Sequence, residues 1–355
     1  MKKIKKTLAL LLSTLMCVSM LPAGVYAAEA DPLAQESVQV SIDAQVSDDD
    51  VVGPEKVESY FEVIHPSDAP VTTNVFYETY SLNGPVGQSG ACYGDYLFIA
   101  TANMKDIKMY NLRTKSLVYT FDTIGFADFL KDSPSVYHCN QACFGPDFYQ
   151  EGDPFPLLYI SQRNNVDGRC FYQVFRIILP ELIGDEYESF SLEQVQTIYL
   201  PAMTIKNALG NANLAIDGDN RLMYTYSRNN KTTDFNYGQC KISVFSLPSV
   251  YESKVVYESM DILDSYYLGC NAINMQGGVI HNNKLYIGQG YKSCGYIKLR
   301  IVDLENKKLE KTIDLLNAGF VAEPEGLYVY DDRLMMSVNG PNIYEFLSVD
   351  SLSVW

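Results

Sequence analysis

The chain has 355 residues, of which 27 are lysine or arginine and 43 are aspartate or glutamate, so its formal charge at pH 7 is −16. That balance excludes a nucleic-acid-binding protein, because neutralising phosphates needs a basic face. The 47% hydrophobic share excludes wholesale disorder, and 27 tyrosines and 16 phenylalanines against one tryptophan favour β-strands.

Residues 1–28 have the organisation of a secretory signal peptide. Four lysines at positions 2, 3, 5 and 6 form a basic start, and the apolar run 7–20 is too short to span a bilayer. Small residues around Ala27 and Ala28 offer a cleavage site. We therefore predict a secreted, extracellular protein without a lipid anchor or membrane insertion. Loss of four lysines and no acid takes its formal charge from −16 to −20.

Residues 29–58 are rich in acidic side chains, among them Asp48, Asp49 and Asp50, and contain no aromatic residue. Such a stretch buries too little apolar surface to offset its ordering entropy. We predict an acidic disordered spacer over 29–58 and a single folded domain over 59–355, expected to be a monomer.

Seven cysteines follow the leader, an odd number that leaves at least one thiol unpaired. Most of them lie in apolar runs, as in Ala142-Cys143-Phe144, where a free cysteine behaves as a small hydrophobe. No C-x-x-C pair occurs, which disfavours a zinc ribbon or a thioredoxin-like site. The simplest interpretation is a protein with few or no disulfides.

From about Tyr60 onward, short alternating runs repeat, separated by glycine, asparagine and aspartate. Five apolar pairs anchor five copies of one hairpin: Leu97-Phe98, Leu158-Tyr159, Leu222-Met223, Leu285-Tyr286 and Leu334-Met335. Two further strand-like runs follow each of the first four hairpins, the outermost run of the third copy being placed at 255–258. The fifth copy lacks its outer strand, which residues 74–80 can supply. Closing a ring in this way removes exposed sheet edges. The sequence therefore predicts an all-β, five-bladed β-propeller of four-stranded antiparallel blades, closed by an N-terminal strand that joins the last blade.

Several motifs support this interpretation by resemblance. The segment 137–145 (YHCNQACFG), the segment 155–161 (FPLLYIS), Glu323-Pro324-Glu325-Gly326-Leu327 and Gln276-Gly277-Gly278 resemble motifs of secreted five-bladed β-propeller proteins of gut bacteria. The resemblance covers about residues 60–355. It implies the fold and secretion, and that group has no established activity to carry over.

One polar position recurs in the repeat. Four copies place a polar residue nine positions before the apolar pair, and Asn140 fills the same place in the second copy. Because inner strands of a propeller begin at one face of the channel, these residues should form a ring around one mouth. Residues two positions earlier add a second layer, and turns after the second strands reach the same opening. The predicted ligand-binding residues are Gln88, His138, Asn140, Asn211, Asn213, Asn274, Gln276, Glu323, Glu325, Arg163, Arg228 and Tyr291.

Side-chain amides both donate and accept hydrogen bonds, which suits hydroxyl-rich ligands such as sugars. Our first interpretation is non-catalytic binding of a small polar ligand, most plausibly a glycan fragment, with no catalytic residue and no cofactor assigned. The structural alternative is that channel mouths are polar because strand ends there need hydrogen-bond partners and water.

Two further functions stay open. A hydrolase acting on a glycan or a nucleotide would use Glu325 or Glu323 with His138. A scaffold would bind protein through the outer faces, although no apolar stripe in the sequence demands it. The ring also resembles, in position, the channel of secreted apyrase-type nucleotidases. That resemblance implies Ca²⁺ at Glu325, whereas here neutral amides replace most of the acids.

Overall fold

The computed structural model describes the repeats and the segment that leads into them. The described residues are 69–73, 77–101, 104, 106–122, 139–166, 169–178, 182–183, 186–187, 190–201, 213–229, 234–338 and 340–346. The predicted leader (1–28) and spacer (29–58) lie outside these residues. The described residues form 24 strands. No helix among these residues is long and apolar enough to cross a membrane.

Two strands precede the repeats, β1 (Val71–Thr72) and β2 (Tyr77–Val86). Blade 1 follows, with β3 (Ala91–Tyr93), β4 (Tyr96–Ala100), β5 (Asp106–Asn111) and β6 (Ser116–Asp122). Blade 2 contains β7 (Cys139–Phe144), β8 (Leu158–Val166), β9 (Arg169–Ile178) and, after the short hairpin β10 (Leu182–Ile183) and β11 (Glu186–Tyr187), β12 (Ser191–Tyr199).

Blade 3 contains β13 (Asn213–Asp217), β14 (Leu222–Arg228), β15 (Gln239–Ser246) and, after β16 (Lys254–Val256), β17 (Asp264–Asn271). Blade 4 contains β18 (Met275–His281), β19 (Lys284–Tyr291), β20 (Tyr296–Asp303) and β21 (Lys308–Asp314). Blade 5 contains β22 (Pro324–Tyr330), β23 (Arg333–Val338) and β24 (Gly340–Phe346). Neighbouring strands within the four-stranded blades pair antiparallel, which confirms the predicted five-bladed propeller.

The fifth blade is completed from the other end of the domain. Strand β2 pairs antiparallel with β24, from Tyr77 opposite Phe346 to Ser81 opposite Asn342. The hydroxyl of Ser81 also donates to the side-chain oxygen of Asn342 at 2.7 Å. The predicted closure is confirmed over residues 77–80, whereas residues 74–76 lie outside the described chain.

The predicted outer strand of blade 3 is wrong. The run 255–258 does not pair with β15; instead β16 pairs in parallel with β12 of blade 2, with Val255 opposite Ile198. The outer strand is β17, eight residues long, which buries Leu268 and Cys270 in the core. A three-residue strand with an exposed Val256 cannot cover the eight residues of β15, and that is why the later run takes the place.

Apolar side chains fill the space between neighbouring blades. Tyr226 of blade 3, for example, packs in one cluster with Leu285 and Ile287 of blade 4. Its hydroxyl donates at 2.9 Å to the backbone carbonyl of Gln276, so a buried tyrosine also ties β14 to the inner strand of the next blade. The inner strands β3, β7, β13, β18 and β22 contact one another around the centre.

Candidate functional site

The channel ring, defined as Gln88, Asn140, Asn213, Gln276 and Glu325, lies where the inner strands begin or break register. Asn140 falls at an irregularity between Cys139 and Gln141, and Glu325 at one between Pro324 and Gly326. Gln276 lies in the irregularity between Met275 and Gly278. A β-bulge redirects a side chain out of the alternating pattern. The same local device therefore recurs in three blades at the position that the repeat singles out.

Glycines let the inner strands of three blades approach one another closely. A Cβ on Gly277 would lie 2.6 Å from the Cα of Gly326, and one on Gly326 would lie 2.3 Å from the carbonyl carbon of Ser89. Blades 4, 5 and 1 thus meet backbone to backbone beside the ring, and only glycine fits at these two positions.

Two members of the ring, Asn140 and Asn213, form an asparagine arc that holds blades together. The side-chain nitrogen of Asn140 donates to the side-chain oxygen of Asn213. The side-chain nitrogen of Asn213 donates to the carbonyls of Met275 at 3.1 Å and Gln276 at 3.0 Å. These bonds connect the inner strands of blades 2, 3 and 4, so the donors of both amides are already in use.

A second group of polar side chains, the glutamate arc, is composed of Gln88, Gln276, Glu323 and Glu325. The side-chain nitrogen of Gln276 donates to a carboxylate oxygen of Glu323 at 2.6 Å. Glu325 is 1% exposed. Its burial, and secondarily the charge of Glu323, raises the pKa of Glu325 to about 9, although a hydrogen bond from Gln88 acts in the opposite direction. Burial likewise raises the pKa of Glu323, against the hydrogen bond from Gln276. At neutral pH the Glu325 carboxyl therefore carries a proton.

Three buried side-chain oxygens near the channel lack a hydrogen-bond partner within the described chain: Gln88 Oε1, Gln141 Oε1 and Glu325 Oε1. Sequence reasoning missed Gln141, which is fully buried and donates to the carbonyl of Gly278 at 2.6 Å. The repeat carries no signal for Gln141, because the same position holds residues of different kinds in the other copies: Ser89, Leu214, Gly277 and Gly326.

The outer residues of the predicted site belong to local clusters. Asn274 donates to the hydroxyl of Tyr296 at 3.3 Å. Tyr291 lies beside the 3-10 turn Lys292–Cys294, where its backbone nitrogen donates to the sulfur of Cys294 at 3.2 Å. The guanidinium of Arg228 lies 5.2 Å from the centre of the Tyr237 ring. His138, Asn211 and the side chain of Arg163 lie outside the described residues.

The donors near the channel ring are too few for a metal site. Across the described part of the chain, no three His, Cys, Asp or Glu side chains are grouped so as to hold an ion. Glu323 and Glu325 are two carboxylates, and one oxygen of Glu323 already accepts from Gln276. Ca²⁺ takes six to eight oxygen ligands, so these residues do not by themselves fit it.

No protein-family model and no curated protein matches the sequence. Among solved structures, the chain is similar to a Myxococcus xanthus glutaminyl cyclase, at 12% identity and a TM-score of 0.42 over 79% of this chain and 97% of that one. It is also similar to a glucose dehydrogenase, at 11% identity and a TM-score of 0.39 over 76% and 99% of the two chains. A luciferin-regenerating enzyme matches at 9% identity and a TM-score of 0.41 over 78% and 96%. Likeness this weak supports no conclusion about activity, and the strand topology alone establishes the propeller.

Proposed function

We propose that this protein is a secreted binder of a small, neutral polar ligand, namely a glycan fragment, held at the glutamate arc without being turned over. The observation that carries the proposal is the pair of unpartnered buried oxygens, Gln88 Oε1 and Glu325 Oε1. A buried acceptor without a donor costs about 1–3 kcal/mol. A ligand hydroxyl that donates to such an oxygen recovers that free energy.

The protonation of Glu325 selects for a neutral ligand. A protonated carboxyl offers one O–H donor together with acceptor capacity, which matches the dual character of a sugar hydroxyl. Glu323, half-buried beside it, disfavours an anionic group at the same place because like charges repel. This favours neutral sugars over nucleotides or acidic sugars.

The asparagine arc lies outside the proposed binding surface. The side-chain donors of Asn140 and Asn213 are bonded within the protein, so a ligand would have to break bonds between blades to use them. The structural interpretation of a polar mouth therefore applies to these two residues. The binding interpretation applies to the glutamate arc, with His138 as a further contact expected from the sequence.

The test is binding of neutral oligosaccharides on a glycan array, followed by calorimetric titration of the strongest ligand. We expect the native protein to bind, and Glu325→Ala and His138→Ala to lose at least tenfold in affinity. Glu305→Gln is the matched control, because it changes an exposed carboxylate in the turn between β20 and β21, at the other end of blade 4. Unchanged affinity in Glu325→Ala would show that the ligand does not bind at the glutamate arc. A native protein that binds no oligosaccharide would show that the ligand is not a glycan.

One observation favours the hydrolase alternative. A carboxyl that keeps its proton at neutral pH, beside a second carboxyl, is the arrangement from which a general acid works. Incubating the native protein with the oligosaccharide that it binds, and with a nucleoside triphosphate, separates the two functions. If the native protein releases product and Glu325→Gln does not, the protein is a hydrolase and not a binding protein. Binding without product formation supports the non-catalytic function.

A further inference from the structure

One pair of cysteines lies within the same irregularity between neighbouring strands. Gln239 of β15 pairs with Asn271 of β17, and the next pair is Lys241 with Tyr267. Between these pairs β15 has Cys240 alone and β17 has Leu268, Gly269 and Cys270, so each cysteine adjoins the Gln239–Asn271 pair on its own strand. The other cysteines face different residues: Cys92 is opposite Leu97, Cys139 opposite Gln162, Cys143 opposite Tyr159 and Cys170 opposite Asn165, while Cys294 lies in a 3-10 turn.

The positions of Cys240 and Cys270 are compatible with a disulfide. The two side chains are close enough for a hydrogen bond between their thiols. A disulfide joins residues whose Cα atoms lie about 4.4–6.8 Å apart, a range within reach of side chains in contact on adjacent paired strands. Both side chains are buried in the same apolar cluster, Cys240 at 0% and Cys270 at 5% exposure, and both are free thiols in the structure.

The two thiols also act on each other chemically. The hydrogen bond between them raises the pKa of Cys240 and lowers that of Cys270, and the positive charge of Arg300 in blade 4 stabilises the Cys270 thiolate further.

We propose that Cys240 and Cys270 form a cross-strand disulfide when the protein folds in the presence of a small disulfide oxidant such as oxidised glutathione. The thiolate of one of the two cysteines attacks one sulfur of the oxidant and releases one thiolate of it. The thiolate of the other cysteine then attacks the mixed disulfide and releases the second. Two protein thiols are oxidised to one disulfide, and the two glutathione thiolates that leave take up the two protons. Because both cysteines are buried in the finished fold, the exchange takes place before blades 3 and 4 pack together.

The bond would fasten the outer edge of blade 3. It closes a loop of about 30 residues that contains β16 and the exposed side chains of Tyr251, Met260 and Leu263. Strand β17 has only β15 beside it within its own sheet, since β16 pairs with blade 2. A covalent link to β15 would therefore strengthen the attachment of β17, the edge strand of blade 3.

The experiment refolds the full chain from denaturant, once with a mixture of oxidised and reduced glutathione and once with excess dithiothreitol. Each product is then denatured, alkylated and weighed intact. We expect two fewer alkylated cysteines after oxidative refolding, and a tryptic peptide that links Cys240 to Cys270. Cys240→Ala should abolish the difference, and the matched control Cys92→Ala should keep it. The oxidised native protein should also melt several degrees above the reduced one.

Equal alkylation in the two products, or a linked peptide that joins other cysteines, would overturn the proposal. The peptide map of the native chain decides the matter even if Cys240→Ala does not fold. A linked peptide without any rise in melting temperature would retain the site and remove its stabilising role.

Discussion

The side chain of Gln276 in blade 4 donates a 2.6 Å hydrogen bond to the carboxylate of Glu323 in blade 5. The bond crosses the boundary between two blades next to Gly277 and Gly326, where their backbones touch. Burial raises the pKa of the Glu323 carboxyl, and the hydrogen bond from Gln276 acts in the opposite direction. Its contribution to stability should therefore depend on whether Glu323 is charged.

Replacing Gln276 by leucine, which has a similar size and no donor, should destabilise the protein in a pH-dependent way. Without the donor the pKa of Glu323 rises further, so the loss grows as the pH rises through the native pKa of this carboxyl, which burial has already raised above the ordinary value of 4.5. We expect a loss of about 1–2 kcal/mol at pH 8 and a smaller loss at pH 4, measured by urea denaturation at both values. Equal losses at the two pH values would contradict a role for the charged carboxylate.

Glu325→Gln should stabilise the protein at neutral and alkaline pH. The pKa of Glu325 is raised from 4.5 to about 9 in the folded state, so the folded state binds the proton more tightly than the unfolded state does. That stabilisation is complete below pH 4.5 and is lost as the pH rises towards 9, by about 1.4 kcal/mol for each pH unit. Glutamine stays neutral, so the variant should gain roughly 3 kcal/mol over the native protein at pH 7 and little at pH 4.

Urea denaturation between pH 4 and pH 9 measures this difference. Glu305→Gln, at an exposed position, should follow the native curve throughout. A Glu325→Gln variant whose stability falls with pH as steeply as that of the native protein would show that another group is responsible.

The repeat was enough to predict the ring of blades and its closure, because each hairpin keeps the same spacing between its polar position and its apolar pair. The outer strand of blade 3 could not be predicted in the same way. Residues 255–258 and 264–271 both have strand-like composition, and the choice between them depends on which sheet edge is free. The first run contains β16, which pairs in parallel with β12 of blade 2, and the repeat pattern does not include such a pairing.

The candidate site was predicted position by position but not by role. Register placed Asn213 and Gln276 at equivalent sites, and both lie at the start of an inner strand. The sequence could not show that the side chain of Asn213 donates to backbone carbonyls whereas that of Gln276 donates to a carboxylate. That difference arises from the separation of strands in neighbouring blades, and no spacing within one repeat encodes it.

Asn213→Ala should destabilise the propeller without acting through a ligand. The change removes three hydrogen bonds: those from Asn213 to the carbonyls of Met275 and Gln276, and the one that Asn213 accepts from Asn140. The Gln276 carbonyl keeps the hydroxyl of Tyr226 as a donor. A buried hydrogen bond contributes about 0.5–1.5 kcal/mol, so the loss of three gives an expected total of about 2–4 kcal/mol. The matched control is Asn306→Ala in an exposed turn, where the lost bond to Asp303 should cost under about 1 kcal/mol.

Urea denaturation in the absence of any added sugar measures both asparagine variants. A loss in Asn213→Ala no larger than that of the control would show that the asparagine arc does not hold the blades together.

Gly326→Ala should be among the most damaging single substitutions in the domain. The added Cβ would lie 2.3 Å from the carbonyl carbon of Ser89 and 2.4 Å from the backbone nitrogen of Gly90, so no side-chain rotation can relieve the contact. Either β22 or the segment entering β3 must move, which separates blades 5 and 1 where the ring closes. We expect a loss of at least about 3 kcal/mol, or failure to fold.

The control is Gly94→Ala, where φ is +57° and no atom lies within 4 Å of the added Cβ, so only the left-handed backbone conformation costs about 1–2 kcal/mol. Thermal and urea unfolding of the two variants separate these causes: similar losses at both glycines would mean that the inner strands can part at little cost, and that the bonds around Asn213 and Gln276 hold the blades instead.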